Sequence, residues 1–390
     1  MKTEQTPAIP AILLGEGLSV LGAGRSLFRA GVTAYQLSGA SGIEAGSRCL
    51  KRLELTPAAK NEESLLELLE RVPFDKAVLL PCSDRWVNEV AALPPELRAR
   101  FPASSPGSEI VQVFTDKSGF SRLLAQHDIP HPETRIVSTL ADVEQISATD
   151  CERFFMKPND SQSFFARFGK KAFDFESGAQ AKKLLQECVE NNLGMILQEY
   201  VPGPPSNHYY VEGLVDRKGS IRAVFARQRL RIYPARFGNS TAMISVPSSQ
   251  VQGAVDSMRK LLGAVSYRGI FSAEFKLDAR DGVFRLIEVN IRLWWFNEFV
   301  ASCGVNTAYM AYLDALEQEV PEVRSYRTGV REAYPYYDIH SCQVKENKTN
   351  LPSVVLSWLL SRWSVFSWSD PMPSLNWVAQ RIKAKLGFSS

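Results

Sequence analysis

The chain has 390 residues, 45% of them apolar and 22% charged, which allows two or three domains with real cores and is ordinary for a globular protein. A formal net charge of +3 gives no argument for nucleic acid as a partner, and six scattered cysteines without a CxxC pair, with only four histidines, argue against zinc and fit a reducing cytosol. The opening MKTEQTPAIPAILLG lacks a signal pattern, and no run of about 18 uncharged apolar residues predicts a membrane span, so the expectation is a cytoplasmic protein.

In chain order, IPAILL (9–14) reads as a buried parallel strand. GEGLSVLGAGRSLFRAG (15–31) reads as a glycine-rich turn and a helix, VTAYQLS (32–38) as a second strand, ESLLELLERV (63–72) as an amphipathic helix, and DKAVLLPCSD (75–84) as a third strand. Alternating strands and helices predict a parallel sheet covered on both faces, a Rossmann-like domain over 1–113. The glycines also fit a dinucleotide fingerprint, but the second strand ends without the acid that would hold a ribose. Ser83 and Asp84 end a strand of this sheet, where ligands of open sheets gather, so they are candidate substrate contacts; helix capping explains them equally well.

FTDKSGF (114–120) opens a second region, with Asp116 placed to cap a helix. Lys117 begins that helix, where the helix dipole disfavours a cation, a weak hint of a ligand. ERFFMKPND (152–160) and GMILQEYVPG (194–203) read as strands ending at proline or glycine. Lys157, at the end of the first, either snorkels or meets an anion. The NDSQSFF loop after it offers Ser161 and Ser163 as phosphate donors but no glycine. In ILQEYVPG, backbone groups of Glu199, Tyr200 and Val201 could pair with an adenine edge, or the segment is an ordinary connector.

HYYVEGLVDRKGSIRAVFARQRLRIYP (208–234) predicts a long hairpin turning at DRKG, and QVQGAVDSMRKLLGAVS (250–266) a helix. Arg227, Arg229 and Arg231 share a strand face; Arg227 and Arg231 are expected to clamp a carboxylate or phosphate, against the alternative of a solvated basic edge. RGIFSAEFKLDARDGVFRLIEVN (268–290) predicts a second hairpin, turning at ARDG, that sets Glu274 nearly opposite Glu288. Two buried carboxylates facing each other repel unless a cation lies between them, and magnesium takes such oxygen ligands, with Asn290 adding a neutral one. Strand alternation puts Glu288, Asn290 and Arg292 on one side.

After about residue 330 the composition changes, and PSVVLSWLLSRWSVFSWSDPMPSLNWVAQRIKAKLG (352–387) holds four of the seven tryptophans. This extension, 331–390, reads as a helix pair packed on the core or as an interfacial contact with a membrane or partner.

DKSGF, FMKP, QEYVPG, SAEF and EVN occur in the order and rough spacing of the ATP-grasp superfamily, which the chain resembles over roughly residues 1 to 310. Within it the chain is most similar to predicted carboxylate–amine ligases of the carbamoyl-phosphate-synthase-like group. The resemblance implies an ATP-grasp fold over 114–330 with a mobile small subdomain at about 135–200, so that the whole is α/β plus α+β. It implies that Lys117 and Lys157 contact ATP phosphates and that Glu199 and Val201 meet adenine with Tyr200 between them. It implies that Glu274, Glu288 and Asn290 hold Mg2+ and that Arg292 steadies the transferred phosphoryl group. Two departures stand out: the phosphate loop PNDSQSFFARFG is glycine-poor, and the ribose-binding acid is replaced by Ser206, followed by Asn207. The implied reaction joins a small-molecule carboxylate to an amine through an acyl phosphate, using ATP and Mg2+. A catalytically inactive ATP-binding protein, a nicotinamide enzyme, a biotin-dependent carboxylase and a purine-synthesis ligase are the alternatives.

Overall fold

The computed structural model describes residues 9–37, 42–55, 63–147, 150–159, 178–191 and 193–385. The first sheet holds β1 (Ala11–Leu14), β2 (Ala34–Gln36), β3 (Lys51–Arg52) and β4 (Val78–Pro81), all parallel, in the order β3-β2-β1-β4. The continuous burial of β1 and β4 follows from packing on both faces. Ala11 and Leu13 join a core with residues 293–313, while Ile12 and Leu14 join another with Leu65, Leu68, Trp86 and Val90. The predicted alternation of strands and helices is therefore present.

The second sheet is small: β5 (Thr134–Val137), β6 (Phe154–Pro158) and β7 (Met195–Glu199), antiparallel, with β7 in the middle. The helix Gly178–Glu190 covers one face, packing Leu185 on Phe154, Met156 and Leu197.

The third sheet has seven strands: β8 (His208–Val215), β9 (Ile221–Tyr233), β10 (Asn239–Val246), β11 (Gly269–Leu277), β12 (Phe284–Asn290), β13 (Arg331–Ala333) and β14 (Arg362–Trp363), in the order β12-β11-β8-β9-β10-β13-β14. Both predicted hairpins form. Asp216 shapes the first turn by accepting from the Lys218 and Ser220 amides. Tyr209, Val211, Ala273 and Phe275 alternate onto one face and pack on the helix Gln252–Ala264. The residues between them, among them His208, Tyr210, Glu212, Ser272 and Glu274, take the other face, which is the polar one. The C-terminal extension is more than helical, since β13 and β14 complete this sheet's edge and the helices Leu351–Trp358 and Met372–Lys385 flank them. Its anchor is a buried charge network. Arg25 donates to Asp370 at 2.9 Å and to Glu298 at 3.2 Å, and Ser47 donates to Asp370 at 2.7 Å.

Candidate active site

A cleft of about 1310 Å³ lies between the polar face of the seven-stranded sheet and the three-stranded sheet. The second hairpin builds its floor. Glu274 pairs directly with Glu288 across β11 and β12, near each other as expected, although the unbroken register of the turn would have set Glu274 opposite Ile287. A β-bulge at this point makes the pairing useful. Phe275 pairs with Leu286 and Glu274 with Glu288, so Ile287 is an extra residue. Strict alternation would put Glu288 on the face of Leu286, in the core. The bulge resets the phase, so Leu286 and Val289 both pack inward while Glu288 and Asn290 line the cleft.

The two carboxylates differ in surroundings. Glu274 is largely buried; it accepts from Arg229 Nη2 at 3.1 Å and from His208 Nδ1 at 2.7 Å. Burial pushes its pKa up, but the Arg229 charge and the His208 hydrogen bond outweigh that and hold it well below the usual carboxylate range. His208 itself is brought down to about 3 by burial and by Arg229, so it is neutral and donates Nδ1–H to Glu274 without forming an ion pair. Glu288, expected to be buried, is exposed, and Asn290 Nδ2 reaches its Oε1 at 3.4 Å. The correction has a simple cause: the apolar neighbours of Glu288 face the core, and its own face opens on the cleft.

Lys157 comes from β6 on the opposite wall. Its Nζ donates to Gln198 at 2.9 Å and lies 5.0 Å from the centroid of the Phe155 ring. Burial lowers its pKa, and attraction from Glu288 and Glu274 works against that, which places all three groups within electrostatic reach. Lys117 also lines the cleft. It donates to the carbonyls of Pro158 at 2.8 Å and Asn159 at 3.2 Å, tying the end of β6 to the helix Lys117–Gln126. Asp116 caps that helix as predicted, accepting from Gly119 N at 2.8 Å. Ser161 and Ser163 lie outside the described residues.

Glu199, Tyr200 and Val201 line the cleft where β7 runs into the next segment. The Glu199 side chain turns away to Arg280, with Arg153 at 3.6 Å, and Glu199 N donates to Glu133 O at 2.9 Å. Its pKa, pushed up by burial, ends low because Arg280 donates to it. The Tyr200 ring packs 4.7 Å from Phe155, which in turn lies 4.8 Å from Phe237, giving an aromatic wall beside these backbone groups. Gly203 sits at φ +130°, and a Cβ there would lie 2.7 Å from Asn207 Nδ2, so the turn needs glycine. Asn207 is outside the lining and donates to Leu277 O at 2.9 Å.

The three arginines of β9 separate by partner. Arg227 lines the cleft but is buried against Glu212, at 2.7 Å, and under the Tyr210 ring. Arg231, expected as a clamp, does not line the cleft. It forms a two-pronged pair with Asp338 of the C-terminal extension, at 2.8 and 2.6 Å. Arg229, which shares the predicted face but was not singled out, is the one on Glu274. Arg292 lines the cleft and pairs with Asp84 at 2.8 Å, so Asp84 holds an arginine and joins the first sheet to the floor. Ser83 occupies the N-cap position of Asp84–Ala91 without a capping bond and is not part of the cleft wall. Lys276, absent from the prediction, also lines the cleft; burial, with Arg229 nearby, brings its pKa down to about 8.

For a divalent ion the donor set is two carboxylates and one amide oxygen on adjacent strand positions, the hard-oxygen chemistry magnesium takes. Among the described residues no group of three or more His, Cys, Asp or Glu side chains converges as a metal site.

No protein-family model matches the chain. It is 25% identical over 316 residues to a protein named D-aspartate ligase from Enterococcus faecium, covering 76% of this chain and 74% of that one. Its structure is similar to that of L-amino acid ligase from Bacillus licheniformis, with a TM-score of 0.57 and 15% identity over 80% of this chain and 75% of the other. It is also similar to N5-carboxyaminoimidazole synthetase from Staphylococcus aureus complexed with ADP, with a TM-score of 0.60 and 14% identity over 83% and 81%.

Proposed function

We propose that this chain is a member of the ATP-grasp superfamily and an ATP-dependent ligase that activates a small-molecule carboxylate as an acyl phosphate and joins it to an amine. The observation that carries the reading is the meeting of Glu274, Glu288 and Asn290 from the large sheet with Lys157 from the small one across a single cleft.

The roles follow from position. The Glu199 carbonyl and Val201 amide take the adenine edge, and Tyr200, Phe155 and Phe237 cover its faces. Lys157 neutralises the phosphates, and Lys117 holds the strand end that carries Lys157. Glu274, Glu288 and Asn290 would hold Mg2+, which would supply charge neutralisation for the phosphates. The carboxylate substrate attacks the γ-phosphate in line, forming the acyl phosphate and ADP; the amine then attacks the acyl carbon and phosphate leaves. Phosphoryl transfer needs positioning and charge neutralisation more than covalent help. Arg292, oriented by Asp84, and Arg229, oriented by Glu274, supply fixed positive charge to the cleft. Closure of the small sheet over the nucleotide would keep water from the acyl phosphate.

The likeness to a protein named D-aspartate ligase supports amino acids as the first carboxylates to try. The test is hydroxamate trapping with ATP, magnesium and hydroxylamine over a carboxylate panel that includes both enantiomers of aspartate. Hydroxamate with at least one acid, matched by ADP release, is the expected result. Tight binding of ATP without hydroxamate from any acid would leave only a nucleotide-binding protein.

A further inference from the structure

The helix Leu351–Trp358 is packed the opposite way round from a surface helix that serves the core alone. Its inner side is polar at its anchor: Ser357 Oγ accepts from Arg231 at 2.9 Å, and Trp358 Nε1 donates to Asp338 at 2.7 Å. Val354 is the buried apolar residue on that side. Leu351, Val355, Leu356, Leu359 and Leu360 recur at helical spacing on the outer side, and all are exposed, Leu359 by 79% and Leu360 by 75%. Ring contacts carry the patch onward from Trp358 to Trp363 at 6.3 Å, to Phe366 at 6.1 Å and to Trp368 at 4.8 Å, and Trp368 is 89% exposed. A connected apolar surface of this kind marks a partner or a membrane.

Charge selects between them. Within residues 345–368 stand Lys345, Lys348 and Arg362 against one acid, Glu346. Lys345 and Lys348 are exposed just before the helix, and Arg362 is partly exposed beside Trp363. A twofold contact between copies would bring these like charges together. An anionic lipid surface would instead attract them while leucine and tryptophan enter the headgroup boundary. No helix among the described residues is long and apolar enough to cross a membrane, so the contact would be interfacial. We propose that the face formed by residues 345–368 docks on an anionic lipid bilayer.

The experiment is co-sedimentation of the full chain with vesicles of phosphatidylglycerol and phosphatidylcholine in equal parts, and with phosphatidylcholine alone. Binding to the first, weak binding to the second and a blue shift of tryptophan emission are expected. Leu359→Glu with Leu360→Glu should abolish binding with an unchanged circular dichroism spectrum. Lys345→Ala with Lys348→Ala, which leaves the apolar face intact, should weaken it roughly tenfold to thirtyfold. Failure of the wild type to bind anionic vesicles overturns the proposal, as does binding that survives the double glutamate change. So does light scattering that shows a dimer dissolved by the glutamates without vesicle binding, which would make a second copy the occupant.

Discussion

Two regions of the seven-stranded sheet each bury a carboxylate, and they treat it in opposite ways. At the cleft, Glu274 faces the guanidinium of Arg229 and a neutral His208, and it stays ionised far below neutral pH. At the far edge, β13 places Glu332 where Ser364 Oγ donates at 3.0 Å and Arg362 comes no nearer than 3.8 Å. Burial, with repulsion from Glu298, pushes Glu332 up to about 7. The strand chemistry is the same, so the difference lies in the opposing groups. A buried carboxylate keeps its charge only where a cation meets it closely. The cleft is therefore built to present a fixed anion, and the edge is built to hold a proton.

The largest expected effect breaks the first half of the comparison. Arg229→Ala leaves Glu274 buried without its cation and should cost about 3–5 kcal/mol of stability, measured by urea unfolding at neutral pH. A loss below 1 kcal/mol would mean that Glu274 does not depend on Arg229. Next comes Glu288→Gln. The side chain is exposed, so stability should stay within about 0.5 kcal/mol, yet hydroxamate formation should fall more than about 100-fold, beyond what a change one shell out from a metal typically costs. Equal activity in the variant would remove Glu288 from the site. The smallest effect sharpens the second half. A folded pKa of about 7 against an ordinary 4.5 means that the native state keeps a proton the unfolded chain releases in that window. The resulting stabilisation is complete below 4.5 and lost as pH rises through 7. Glu332→Gln should then raise stability by up to about 3 kcal/mol at pH 8 and leave it unchanged near pH 4.5, read from thermal unfolding across pH.

That Glu274 and Glu288 lie near each other was legible because a short turn sets hairpin register locally, but the bulge that makes them direct partners was not. The cap at Asp116 and the alternating first domain were legible for the same reason: each rests on neighbours within a few residues. The row Arg227, Arg229, Arg231 was not resolvable this way. Alternation makes the three equivalent, and only their distant partners, Glu212, Glu274 and Asp338, tell a buried pair from a cleft group and a strut. Arg292 and Asp84 were each readable as candidate site residues, whereas their pairing across 208 residues was not.

Composition and periodicity thus determined the layered α/β architecture, the hairpins and the kinds of side chain that gather at the floor, since backbone sterics and apolar patterning act over short stretches. Only the folded chain decided which of those side chains is ionised, which is exposed, and where the extra residue Ile287 turns Glu288 from the core to the cleft. Charge state and bulge position depend on what is brought opposite by the rest of the molecule, and that is a long-range property.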